Sequence, residues 1–353
     1  MIDRVIEACA ARPWTVFGLV FALVAWSVVA IRQTPLDAVP DLSDPQVIVF
    51  AEWMGRGPDL VEDQITYPLV RSLQSTPRVR TVRGYSMFGM SFVYVIFEDG
   101  TDIYWARTRV DEQVDRARGL IPADVTPVLG PDATGVGWVY QYALVDESGA
   151  LDLAELRALQ DFTIRPALQA VSGVAEVATF GGFERQYQIV VDPNRLAAFG
   201  LGVSDISRAV RDANSEVGAR VLELAGREYV LRGRGYVREL PDLEASVVTV
   251  GAGGTPVRVR DVGTVQFGPE IRRGAADLNG EGEAVGGIVV MRIGSNALEV
   301  IERVKAETAR LALPPGVRLV PTYDRSELIL GSVKTLQNTL LLEGIIVALV
   351  CLL

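Results

Sequence analysis

The stretch that most limits what this chain can become is Pro13 to Ile31, PWTVFGLVFALVAWSVVAI, which carries no charged residue. A helix of these nineteen residues is roughly 28 Å long, close to the ~30 Å of a bilayer's hydrocarbon core. It is apolar all round, so it has no polar face to turn toward water. Trp14 and Trp26 stand where interface anchors belong. A cleaved signal peptide is the competing reading. It fits poorly, because the apolar run is too long and no A-x-A-like site follows. Arg4 and Arg12 precede the span; Arg32 follows it, and then Asp37, Asp41 and Asp44. That bias puts the N-terminus in the cytoplasm. At the far end, TLLLEGIIVALVCLL is apolar apart from Glu343 and stops at Leu353 without a cap or flanking charge. It reads as a second transmembrane helix that the chain ends inside, and hence as part of a longer membrane protein; a membrane-buried tail is the alternative. The residues between the two runs would then face the periplasm or exterior.

Composition removes whole classes of chemistry. The chain has no histidine and two cysteines, Cys9 and Cys351, one near each end. Ser-His-Asp triads, Cys-His dyads and the usual zinc centres are excluded, as is a disulfide framework in the middle. The net charge of −10 argues against nucleic acid. Any metal chemistry must use carboxylates, carbonyls or thioethers, and only five methionines are present.

The middle of the chain repeats. PQVIVFAEW (45–53) alternates like a strand, and GPDLVEDQITYPLVRSLQS (57–75) has helical spacing at Leu60, Val61, Ile65, Leu69 and Leu73, with Pro68 as a candidate kink. Two strands follow, RVRTVRGYS and SFVYVIFED, joined by a methionine-containing turn. An amphipathic helix over 102–121 and a strand near 125–129 complete β-α-β-β-α-β, the ferredoxin-like split βαβ unit. The order recurs. It runs through WVYQYALVD (138–146), a helix over 151–171 capped by Asp152, and GVAEVATFGG. It resumes at EAVGGIVVMRIG, a helix capped by Asn296, and PPGVRLVPTYD. The second unit is interrupted by an insert. Within it we expect a strand at ERQYQIVVD, a short helix, a helix capped by Ser204 or Asp205, and β segments REYVLRGRGY, SVVTVG and TPVRVRDVGTVQFG.

The segments TPLDAVPDLSDPQVIV (34–49), TYPL (66–69), TVRGYSMFG (81–89), VYVIFEDGTDIYWAR (93–107), LGPDATGVGWVYQYALVD (129–146), RQYQIVVDP (185–193), LNGEGE (278–283) and TYDRSELI (322–329) carry a resemblance. The chain resembles the heavy-metal branch of the resistance-nodulation-division (RND) efflux pumps, the copper/silver type most closely. The resemblance covers roughly the first third of such a pump. It implies a membrane α plus α+β protein of the bacterial inner membrane. Its parts would be a cytoplasmic N-terminus (1–12), a first transmembrane helix (13–32), a first porter subdomain (33–132) and a second (133–181 and 271–324). A docking subdomain (182–270) would be inserted in the second porter, and a truncated second transmembrane helix (325–353) would follow. It further implies a transporter rather than an enzyme. Such a pump is a homotrimer in membrane lipid, exporting heavy-metal ions in exchange for protons. It needs no cofactor, and it docks to a periplasmic adaptor and an outer-membrane channel. The proton-relay carboxylates and most of the metal-gripping methionine cluster would lie beyond Leu353.

Four residues stand out as site candidates. Met87 and Met90 are either a thioether pair for Cu(I) or Ag(I) or ordinary packing. Arg83 matches a charged position lining the porter cleft in relatives, or is a solvated strand end. Glu343, a carboxylate in an apolar run, either joins a proton path or sits at the interface. Against copper, Ile271 stands in GPEIRRG where copper/silver members often carry methionine. Asp41 and Asp44 read as turn caps beside Pro40 and Pro45. Glu281 and Glu283 lie on a turn without EF-hand spacing. GPDATGVGW and VGAGGTP lack phosphate-loop spacing. Two rival functions remain: a single-pass anchored docking module, and an RND exporter of organic compounds, against which stands an aromatic content of only 7%.

Overall fold

The computed structural model describes residues 10–33, 37–233, 235–251, 253–272 and 274–352, apart from the side chains at 31–33, 217–220 and 231–232. Arg4, Cys9, Leu353 and the Arg32 side chain lie outside the described residues, as do residues 1–9 of the expected cytoplasmic segment. The chain divides into two compact units. One comprises residues through Ser148, Gln160–Phe180 and Val285 onward; the other is Gly149–Leu159 with Gly181–Ala284.

The larger unit holds two sheets of the same design. Helix α1 (Pro13–Gln33) precedes β1 (Gln46–Glu52), a helical stretch α2 (58–73), β2 (Val79–Met87), β3 (Met90–Phe97), α3 (Ile103–Ala117) and β4 (Val128–Leu129). The strands lie in the order β2-β3-β1-β4, as the split βαβ unit requires. Alternation is clean in β1, where Val47, Val49 and Ala51 are buried and their neighbours are not. Those three pack with Val93, Val95 and Phe97 of β3, with Ile65, Leu69 and Leu73 of α2, and with Ala106, Val110 and Val114 of α3. The helical residues recur at intervals of four, so each helix offers one apolar stripe to one sheet face. Each fully buried Val or Leu contributes about 1.5–3 kcal/mol.

The second copy uses β5 (Trp138–Asp146), a helical stretch α4 (153–169, of which 153–159 groups with the smaller unit), β6 (Val174–Gly181, its last residue likewise), β13 (Val285–Met291), α9 (Ala297–Thr308) and β14 (Val317–Asp324). Its order, β14-β5-β13-β6, repeats the first sheet position for position. Both copies share a further detail. A π-helical turn at Glu62–Thr66 precedes Pro68, and another at Gln160–Ile164 precedes Pro166. Proline cannot donate to the turn before it, and a wider turn absorbs the missing bond. The expected caps are present. The Glu155 amide donates to Asp152 Oδ1 at 2.7 Å while the Asp152 amide donates to Glu155 Oε2 at 3.0 Å. Asn296 Oδ1 accepts from the Glu299 amide at 3.4 Å.

The smaller unit contains β7 (Arg185–Val191) paired with β12 (Gly263–Pro269), and the hairpins β8 (Val217–Leu224)–β9 (Arg227–Gly233) and β10 (Val247–Val250)–β11 (Pro256–Arg258). Between them lie short helices α5 (Pro193–Ala198), α6 (Val203–Ala213), α7 (Leu240–Ala245) and α8 (Val259–Val262). Three sequence expectations change here. The cap of α6 is Gly202, not Ser204 or Asp205: Asp205 sits inside the first turn and its Oδ2 accepts from the Gly202 amide at 2.9 Å. The segment TPVRVRDVGTVQFG is not continuous β. Asp261 reaches back to the Arg258 amide at 2.8 Å and closes a helical turn between two strands. Strand β8 escapes notice because its hairpin turns at Ala225 and Gly226, with φ of 52° and 75°. An alanine there carries none of the Asn-Gly or Asp-Gly signal of such turns.

Helix α10 (Arg325–Leu352) closes the described chain. It and α1 are long and apolar enough to cross a membrane. On α1 the large side chains face outward, Trp14 at 86% and Phe21 at 76% exposure. A soluble core helix would bury them.

Candidate functional site

The strand register sorts the first sheet into two faces. Val47, Val49, Ala51, Ser91, Val93 and Val95 lie under the helices. On the other face, three successive rungs toward the β2–β3 turn each run across β2, β3 and β1. The first is Arg83–Tyr94–Ile48, the second Tyr85–Phe92–Phe50, the third Met87–Met90–Glu52. Directly opposed residues in an antiparallel pair project to the same side, with Cβ atoms about 4.5–5.5 Å apart. This face is unevenly covered: Arg83, Tyr85, Met87 and Glu52 are exposed, whereas Ile48, Phe50, Met90, Phe92 and Tyr94 are half-buried. Tyr85 meets Tyr94 edge-on at 5.4 Å, and Phe50 stacks on Phe92 at 6.4 Å. A cation therefore stands at one end of an aromatic platform, and sulfur stands at the other.

Met87 and Met90 are not on the turn between β2 and β3, as the sequence suggests. They are its flanking residues, the last pair of the ladder, and Phe88–Gly89 makes the turn between them. The structure thus brings the two together, along with Arg83 two rungs away. Gly84 keeps Arg83 in register: an added Cβ at Gly84 would lie 2.5 Å from Thr66 Cγ2, so α2 crosses β2 where no side chain is allowed. Below it, Thr66 Oγ1 accepts from Ser86 at 2.8 Å and shares a hydrogen bond with the buried Ser91 hydroxyl at 2.8 Å. Sequence reasoning passed over Met54. Its Sδ would lie 3.0 Å from a Cβ on Gly89, so it rests against the hairpin turn. The pairing of Glu52 with Met90 is the signal that places it there.

Glu343 is exposed on α10, apart from this face. Ile271 is 88% exposed in the smaller unit. The turn residues behave as turn residues. Asp41 accepts from the Ser43 amide at 3.0 Å and from Thr134 Oγ1 at 2.7 Å. Burial works against its charge, but these bonds and the Arg325 guanidinium hold the carboxyl below the usual range. Asp44 pairs with Arg80. In LNGEGE, Asp277 accepts from the amides of Gly280 and Gly282, and Glu283 pairs with Arg272 at 2.5 Å. Asp132 of GPDATGVGW binds Arg292 at 3.3 Å and the Tyr104 hydroxyl at 3.1 Å, an internal brace rather than a phosphate cradle. Among the described residues, no group of three or more Asp, Glu, His or Cys side chains is placed to hold a metal ion.

An apolar helix, two ferredoxin-like units in tandem with the second interrupted, and a second apolar helix match one class of membrane protein. The family model for AcrB/AcrD/AcrF matches residues 5–353, and the chain belongs to that family. Within it, the chain is 49% identical over 353 residues to the cation efflux system protein CusA of Escherichia coli K12, covering 99% of this chain and 34% of that protein. It is 47% identical to the putative cation efflux system protein SilA of Salmonella typhimurium, with the same coverage. It is 36% identical to the cobalt-zinc-cadmium resistance protein CzcA of Cupriavidus metallidurans, covering 100% of this chain and 34% of that protein. A crystal structure of a heavy metal efflux pump superposes with a TM-score of 0.83 at 33% identity, over 95% of this chain and 34% of that one. The chain thus spans about a third of the length of these relatives.

Proposed function

We propose that this chain is the N-terminal part of an inner-membrane, proton-driven pump that exports heavy-metal cations, Cu(I) and Ag(I) foremost. The observation that carries the reading is collinear identity of 49% over 99% of this chain with a cation efflux protein. The choice among metals rests on ligand chemistry. The chain offers no imidazole, and the described residues offer no carboxylate or thiolate cluster. They do place thioethers in register at the end of an unevenly covered sheet face. Thioethers favour soft monovalent ions.

In this reading 13–32 and 325–353 cross the membrane. Residues 33–132 and 133–181 with 271–324 are porter subdomains, and 182–270 dock. The working unit is a homotrimer seated in lipid, joined to a periplasmic adaptor and an outer-membrane channel. Heavy-metal ions are its cargo, and no resident cofactor takes part. The porter faces alternate in access as protons move through helices supplied by the rest of the protein. Arg83 lines the porter cleft, and Glu343 either joins the proton path or sits at the outer interface. The test is metal uptake into inverted vesicles carrying the full-length protein under an imposed pH gradient. Cu(I) or Ag(I) should move with coupled proton flux. Movement of Zn(II) or Co(II) alone would reassign the cargo, and absence of any metal-dependent proton flux would refute the reading. The aromatic rung Tyr85–Phe92–Phe50 favours a second reading, export of organic compounds. Proton flux driven by an aromatic cation and not by metal would support that instead.

A further inference from the structure

We propose that Met54, Met87 and Met90 together form a binding site for one soft monovalent cation, Cu(I) or Ag(I), at the hairpin end of the first sheet. Three of the chain's five methionines lie at this end of the sheet, Met87 and Met90 as a cross-strand pair and Met54 against Gly89 of the turn between them. Met87 and Met90 face the same side as the final cross-strand pair. Met54 comes from the segment after β1, and that segment is tied to the hairpin turn by backbone bonds. The Trp53 amide donates to the Gly89 carbonyl at 2.8 Å, and the Gly89 amide donates to the Arg56 carbonyl at 2.9 Å. The two pieces of chain that present sulfur are therefore held together before any ion arrives, so little ordering is left for binding to cost. Gly89 makes the approach feasible. Its φ is +68°, and a Cβ would meet Met54 Sδ at 3.0 Å and Met54 Cα at 3.2 Å.

Exposure separates ligation from packing. Methionine used as a gap-filler lies inside a core, yet Met87 is 55% and Met54 49% exposed, and Met90 is half-buried on the same face. Each sulfur sits at the end of a flexible, unbranched stem, so the three can close on an ion from different directions. Glu52 shares the third rung with Met90 and supplies a nearby negative charge. Arg56, the nearest cation on the same segment, lies over the Trp53 ring at 5.0 Å from its centroid. Thioethers carry no proton to be displaced, so such a site keeps its donors in acid, unlike one built from imidazole or thiolate. That the bound ion is cargo in transit rests on the export reading above; the binding itself does not.

The experiment is an Ag(I) titration of the purified full-length protein, read by competition with a chelator of known affinity. Wild type is compared with Met54→Leu, Met87→Leu, Met90→Leu and the triple variant. Leucine conserves volume and apolarity, so a packing role survives the exchange and a ligand role does not. Each single variant should weaken one Ag(I) equivalent by about tenfold or more, and the triple variant should lose it. Unchanged stoichiometry and affinity in the triple variant would overturn the proposal. A second measurement needs no variant. Ag(I) should slow sulfoxidation of Met54, Met87 and Met90 by peroxide in wild type, while Met291 in β13 oxidises as before. Equal rates at the three sulfurs with and without Ag(I) would also overturn it. Export of metal by a wild type in which no Ag(I) equivalent depends on these three sulfurs sinks this site alone; binding without export sinks the pump reading alone.

Discussion

Arg325 and Asp37 meet from opposite ends of the chain, Nε to Oδ1 at 3.0 Å, with the arginine side chain only 3% exposed. The approach is charge to charge rather than an aligned hydrogen bond. Arg325 also donates to the Val136 carbonyl through Nη1 and to the Val39 carbonyl through Nη2. One guanidinium at the first residue of α10 thus grips the chain that follows α1 and the turn that opens β5. Arginine suits this position because its planar fork serves several acceptors at once. Arg325→Ala leaves Asp37 and two carbonyls without their partner, and we expect a loss of about 3–5 kcal/mol. Arg325→Lys should recover less than half, since an ammonium cannot span three acceptors. Thermal unfolding of the purified full-length protein checks both, and equal stability of wild type and Arg325→Ala would contradict the clamp.

One residue earlier, Asp324 accepts from the Ser326 amide at 2.9 Å and pairs with Lys305 of α9. Burial disfavours its charge, but the bonds from Lys305 and Ser326 outweigh that and hold the carboxyl below its ordinary value. A depressed folded-state pKa means the contribution is present above about pH 4 and fades as pH falls through the folded value. Lys305 is 41% exposed, so solvent screening limits the effect to about 1 kcal/mol. Asp324→Asn should flatten the acid limb of the stability–pH curve and change little in its slope above pH 6. An unchanged acid limb would refute the assignment.

Gly84 reports on how tightly α2 lies on β2. Gly84→Ala should cost about 1–3 kcal/mol by overpacking, because the new methyl meets Thr66 Cγ2 at 2.5 Å. Adding Thr66→Ser removes that carbon and keeps the hydroxyl bonded to Ser91. The double variant should recover most of the loss in thermal midpoint. Additive losses would place the strain elsewhere.

At the N-terminus of α4, Asp152→Ala should cost about 1 kcal/mol by removing the cap on the Glu155 amide, whereas Asp152→Asn should be nearly neutral. Equal effects of the two substitutions would mean that the Arg185 contact at 3.3 Å, and not the cap, is what matters.

Much of this architecture is written in periodicity. The alternation of β1 and β3, the four-residue spacing of α2 and α3, and the caps at Asp152 and Asn296 agree with one another, and such agreement is what makes a fold readable from sequence. The insert is less legible because its signals are short and ambiguous. VRDV reads as strand by composition but coils around Asp261, and the β8–β9 hairpin turns on an alanine with positive φ. Of the candidate site, the pairing of Met87 with Met90 was partly legible, since three residues of separation across a turn invite it. Met54 was not: its place at the turn depends on β1 pairing with β3, a long-range register that no local window contains. The joining of Arg325 to Asp37 was hidden for the same reason.

The measurement that tests the account most directly is sidedness. In the full-length protein, with Cys351 changed to serine, Ser148→Cys should react with a membrane-impermeant maleimide in spheroplasts. Native Cys9 should react only from the cytoplasmic side, in inverted vesicles. Labelling of both positions from the same side would contradict the claim that α1 carries the two duplicated sheets across a membrane.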